Sequence, residues 1–123
     1  MMYETLYSEF KNAIPESVPF LEQAEKMYDL DESDGQHVLF GLAIERYVYD
    51  RLLEKDIETI QKIASFIEEM ETASDERIVD VIEQTVIEHL ISSDRILVAS
   101  FDSIWGTETK KAFKSIGQCE LLQ

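Results

Sequence analysis

The feature that most narrows the fold is the stretch from Asp56 to Ile91, where apolar side chains recur at helical spacing twice over. In its first half Ile57, Ile60, Ile63, Ala64, Ile67 and Met70 fall on one helical stripe about 100° wide. A strand alternates its side chains with a period of two and cannot gather these residues on one face. The second half repeats the pattern with Ile78, Val79, Ile82, Val86, Leu90 and Ile91. Between them, Thr72-Ala73-Ser74 reads as the turn. Ser74 is the expected N-cap, with Asp75 and Glu76 complementing the positive end of the helix dipole. A connection this short makes the two halves an antiparallel hairpin.

Helical periodicity also governs the flanks. Tyr3, Leu6, Tyr7 and Phe10 predict a short amphipathic helix that stops near Pro15, because a residue preceding proline disfavours helical geometry. A second helix is expected from about Pro19, through Phe20, Leu21, Ala24, Met27 and Tyr28. The acidic segment 29–35 then reads as a loop, with Ser33 and Gln36 as a capping box for the next helix. That helix, Gln36 to Glu54, is apolar on nearly every side between Val38 and Ile44, the mark of a helix buried between neighbours. Gly41 within it points to a close helix crossing. After the hairpin, Ser92-Ser93-Asp94 caps a helix running to Trp105. Gly106 and Thr107 separate it from a last helix carrying Phe113 and Ile116, and the tail beyond Gly117, with Cys119, is expected to fray. The pattern specifies an all-α, single-domain array of six or seven antiparallel helices spanning residues 1–123, as a bundle or a short α-solenoid-like stack.

Charge bounds the partners. The chain carries 26 acids against 11 bases, a formal net charge of −15. Residues 56–91 hold ten acids and two bases, whereas residues 92–123 are balanced. Such a field repels phosphate backbones and anionic lipids and attracts basic proteins, so neither a nucleic acid nor a membrane is an expected partner. The longest apolar or glycine run, 38–44, is far shorter than the roughly 20 residues that span a bilayer. One cysteine cannot form an internal disulfide, and the N-terminus lacks the pattern of a secretory signal, so the expected location is cytoplasmic.

No catalytic signature emerges. Glu88 and His89 are adjacent and point about 100° apart on a helix, whereas carboxylate-bridged metal centres in bundles need Glu-x-x-His, twice. His89 reads instead as a polar or helix-end residue, and His37 has no carboxylate three or four residues downstream. The aspartate-rich loop lacks the ligand spacing of a calcium site, since Val38, Leu39 and Phe40 occupy its later positions. No serine lies on a nucleophile elbow and no glycine-rich loop cradles phosphate. No enzyme activity, cofactor or metal is therefore expected. Arg46, interrupting an apolar helix, is expected to pair with a glutamate of another helix. Tyr3, Tyr7, Tyr47, Tyr49 and Trp105 read as core before interface.

The segments His37-Val38-Leu39-Phe40-Gly41, Phe66-Ile67-Glu68-Glu69-Met70, Ser74-Asp75 and Thr85-Val86-Ile87-Glu88-His89-Leu90, with Gly106 and Thr109-Lys110, resemble a family of small uncharacterised bacterial helical proteins. In size, acidity and architecture such proteins are similar to the immunity proteins that neutralise bacterial toxins. The resemblance implies a non-enzymatic protein-binding role with a basic protein partner. The carboxylates expected to meet that partner are Glu68, Glu69, Glu71, Glu76, Asp80 and Glu83. The alternative is a helical adaptor or regulatory protein that binds its partner through an apolar groove. Neither reading sets the oligomeric state.

Overall fold

Phe10, from the first helix, stands at the centre of an aromatic cluster that joins three helices. Its ring meets Phe40, Tyr47 and Phe66 edge-on, with centroids 6.3, 6.4 and 5.2 Å away. A computed structural model describes residues 1–117 and Leu122, so Cys119 and most of the tail lie outside the described residues. Among those residues there are seven continuous helices and no strand. They are α1 (3–13), α2 (15–28), α3 (36–54), α4 (Ile57–Glu71), α5 (76–93), α6 (Arg95–Ser100) and α7 (Thr107–Gly117).

The expected central helix, Gln36 to Glu54, has those bounds in the structure. It packs against α1, α2, α4, α5 and α6, and the 56–91 hairpin lies along it as expected. The buried side chains of all seven helices form one cluster. Gln36 ties the start of α3 to α1, its amide oxygen accepting from the Tyr7 N–H at 2.9 Å and its amide nitrogen donating to the Glu4 carbonyl at 2.9 Å. It therefore takes no part in the capping box expected with Ser33. The acidic loop closes a different box: Asp31 accepts from the Ser33 N–H and Asp34 accepts from the Asp31 N–H. An aspartate reaches back to its own backbone more readily than a serine does, and three-residue spacing is kept. Likewise Asp75, one residue past the expected Ser74, caps α5, accepting from the Arg77 N–H while its other oxygen pairs with the Arg77 guanidinium at 2.8 Å. The α-helical part of α2 begins at Val18 with Pro19 in its first turn, as expected, where the missing N–H of a proline costs no hydrogen bond, and a 3-10 turn over Pro15–Ser17 leads into it.

Two local departures reshape the faces. Residues 40–44 of α3 and 83–87 of α5 each form a π turn, and the two turns pack against each other. A π turn inserts one extra residue and shifts the phase of the helix. On α5 Val81 and Thr85 continue the stripe of the predicted Ile78 and Ile82 at three- and four-residue spacing, and Ile87 is buried at the turn beside the predicted Val86, Leu90 and Ile91, while Val79 is only partly covered. Thr85 donates its hydroxyl to the Val81 carbonyl at the crossing. Gly41 lies at this crossing as expected, but a Cβ there would meet the Thr85 methyl at an ordinary 3.7 Å, so the approach does not demand glycine. On α3 the all-round burial expected between Val38 and Ile44 fails, because Val38 and Leu42 are about 40% exposed (39% and 42%).

Arg46 does not reach another helix. It pairs within α3 with Asp50 at 3.1 Å, four residues on, which keeps both charges at the surface and avoids desolvating them. Helix α6 stops at Ser100, short of the expected Trp105, because the chain turns so that the Trp105 indole N–H can donate to the Val98 carbonyl at 2.9 Å. Tyr7, Tyr47 and Trp105 are buried, as expected of core residues, while Tyr3 and Tyr49 are partly covered.

Ile67 is 2% exposed in the middle of the predicted stripe. Ile67→Ala is expected to lower unfolding stability by about 2–5 kcal/mol in a denaturant titration. A loss well under about 1 kcal/mol would place the core on another face of α4.

Candidate functional site

The six carboxylates expected to face a partner divide into two groups. Glu69, Glu76 and Asp80 are exposed on the hairpin, the last two four residues apart on one side of α5. Glu68, Glu71 and Glu83 are only partly exposed, which corrects the expectation of an open row. Glu68 is occupied within the fold. Its carboxylate accepts from the backbone N–H groups of Glu108 (3.1 Å) and Thr109 (2.9 Å) and from the Thr109 hydroxyl (2.8 Å). It thereby caps α7 from a different helix. A Cβ at Gly106 would overlap the same carboxylate, so the glycine keeps this seat open. Burial works against the ionised form of Glu68, but these donors outweigh it and hold its pKa below the usual carboxylate value.

Glu71 and Glu83 meet between α4 and α5. Burial, followed by the hydrogen bond and negative charge of Glu83, pushes the Glu71 carboxyl up to about 9. Its Oε1 is buried without a donor among ordinary hydrogen-bonding groups. Two carboxylates can bond only when one carries a proton, so the contact favours the protonated form of Glu71. This pair belongs to the inside of the hairpin, turned away from an incoming partner.

A second surface lies between α2 and α3. Phe20, Gln23, Ala24, Met27 and Tyr28 stand at successive three- and four-residue spacings on one side of α2, opposite Gly41, Leu42 and Glu45 of α3. They line an open trough of about 480 Å³ that Arg46 and Asp50 complete. Its apolar walls remain solvent-accessible: Met27 is 75%, Tyr28 50% and Leu42 42% exposed. Leu39, Phe40, Ala43 and Ile44 take the inward positions at ordinary helical spacing and leave Leu42 outside. Glu45 is half-buried in the trough and makes no hydrogen bond or ion pair within 4 Å among the described residues. Burial raises its pKa, with the charges of His89 and Arg46 only partly offsetting the effect.

Met27 and Tyr28 were expected only to lie on the second helix, and the trough emerges from the placement of α2 beside α3. The signal was present in α3, whose apolar run between Val38 and Ile44 covers more of the helix surface than its neighbours bury. The remaining candidates stay apart. His37 contacts Gln84 at 3.2 Å, and Glu88 and His89 are exposed neighbours on α5. No group of three or more metal-ligating side chains comes together among the described residues, and no helix among them is long and apolar enough to cross a membrane.

The model of a family described as Domain of unknown function (DUF7674) matches residues 7–119, nearly the whole chain. No curated protein and no solved structure matches it.

Two outcomes follow from the carboxylates. Glu68→Ala should destabilise the chain by about 1–2 kcal/mol, the cost of losing a helix cap, with faster hydrogen exchange concentrated in 107–117. The raised pKa of Glu71 favours the fold fully below the ordinary carboxylate value and loses that contribution as pH rises toward about 9. Glu71→Gln, which mimics the protonated acid, should match the parent in stability near pH 5 and exceed it increasingly up to pH 9, about the value that Glu71 itself reaches. A constant difference across that range would show that Glu71 is ionised at all these pH values.

Proposed function

We propose, from the premise that the chain belongs to the family described as Domain of unknown function (DUF7674), that it is a non-enzymatic binding domain for a basic protein. The form of that role that we favour is an immunity protein of the bacterial cytoplasm that occludes a basic toxin, such as a nuclease. The observation that carries the reading is the excess of negative charge, −15 overall with ten acids against two bases in 56–91, in a helical scaffold where Glu69, Glu76 and Asp80 are exposed. A field of this sign speeds encounter with a positively charged surface and discourages nucleic acid. Of the six carboxylates named from the sequence, these three are the ones free to act at a surface. Glu68 and Glu71 serve the fold, and Glu83 is engaged with Glu71.

A second reading, a helical adaptor or regulatory protein, is favoured by the trough between α2 and α3. Binding carried by apolar contacts alone would be nearly independent of salt, whereas an electrostatically steered complex weakens as salt rises.

The test is affinity capture from the native cell at low and high salt, with the parent and with Glu69, Glu76 and Asp80 all changed to Lys. At two charge units per substitution, that variant moves the net charge from −15 to −9. Capture of a basic protein that weakens about tenfold or more in the variant, with unchanged helical circular dichroism, is the expected result. Equal affinity for parent and variant would remove the acidic surface from the function.

A further inference from the structure

The trough between α2 and α3 has the form of a seat for a third helix. Its two walls are helices, and side chains on helix surfaces form ridges that pack into the grooves of a neighbour. The wall residues of α2 run from Phe20 to Tyr28, about 12 Å at 1.5 Å per residue, or roughly two turns. Three apolar side chains, Met27, Tyr28 and Leu42, line it at 42–75% exposure. Walls this open would leave much of a small ligand in water, whereas small-molecule sites bury most of theirs. Methionine adapts its shape to the surface it meets, which suits Met27 to a docking role.

Charge selects the occupant. A second copy of this chain would bring another −15 to the same place, and like charges across an interface oppose association. Within the trough Arg46 is already paired with Asp50, and Glu45 is half-buried without an ion pair within 4 Å among the described residues. A half-buried carboxylate gains most from a cation delivered to it as water is excluded. We propose that this trough receives about two turns of a basic amphipathic helix from the partner protein, its apolar ridge on Met27, Tyr28 and Leu42 and a lysine or arginine on Glu45. The inference rests on the protein-binding reading above and supplies the form of the recognised segment. It also assigns the two surfaces separate tasks. The exposed hairpin carboxylates attract the partner, and the trough reads the spacing of its side chains.

The experiment uses fluorescence anisotropy of the full chain with two labelled peptides of identical lysine and leucine content. One places leucine at helical spacing, and the other alternates leucine and lysine. The helical-pattern peptide is expected to bind about tenfold tighter or more, since only it presents an apolar ridge with basic flanks. Leu42→Asp should abolish that preference, although it adds negative charge and electrostatics alone would strengthen the capture of any cationic peptide. Glu45→Gln should weaken the helical-pattern peptide several-fold and leave the alternating one unchanged. Equal affinity for the two peptides, or a preference that survives Leu42→Asp, overturns the proposal. If the peptides bind equally and both are lost when Glu69, Glu76 and Asp80 become Lys, the acidic reading stands without the trough. If neither peptide binds, both readings fall.

Discussion

The structure depends on covering α3. Its residues Leu39, Phe40, Ala43, Ile44, Tyr47, Val48 and Leu52 are all buried, and they point in too many directions for any single neighbour to cover. Burial of apolar area at about 25 cal/mol per Å² gives each surrounding helix its reason to pack there. Phe10 fixes α1 against both α3 and α4, Phe20 of α2 lies 5.3 Å from Tyr47, and the hairpin closes the remaining side through its π turn. The trough marks where this covering stops. Leu42 belongs to the same apolar run, but it lies off the face that Leu39, Phe40, Ala43 and Ile44 bury and lines the open gap between α2 and α3.

The carboxylates are arranged by the same economy of space. Those near helix ends find N–H donors: Asp56, Asp75 and Asp94 each accept from the backbone at the start of a helix, Asp31 does so within the loop before α3, and Glu68 does so for α7 across 40 residues of chain. Where no donor is available, as between Glu71 and Glu83, burial and the neighbouring carboxylate raise the Glu71 pKa instead. An acidic chain can therefore fold tightly while much of its excess charge stays at the surface, where it acts at a distance on a partner.

Periodicity made most of the helices legible, because burial on one side leaves a record every three to four residues. The bounds of α3 and the core stripe of α4 from Ile60 to Met70 needed no tertiary knowledge. Three kinds of feature did not show in that record. The π turns alter phase without any marker residue, so the burial of Ile87 in the turn at 83–87 did not show in the helical spacing. Caps compete among neighbouring acceptors, and Asp75 prevailed over Ser74 by one position. Long-range roles were invisible: nothing near Glu68 in sequence reveals that it caps Thr109, whereas the four-residue spacing of Arg46 and Asp50 on one helix does carry their pairing. Of the candidate surface, exposure at Glu69, Glu76 and Asp80 was readable, whereas the trough needed the relative placement of α2 and α3.

The most direct measurement is hydrogen–deuterium exchange of the protein alone and in complex with the protein it captures from its native cell. Slowed exchange over 20–28 and 38–50 in the complex is predicted, since a helix seated between α2 and α3 would suppress the opening of both. Exchange unchanged in those two segments while the complex remains intact would contradict binding through this surface.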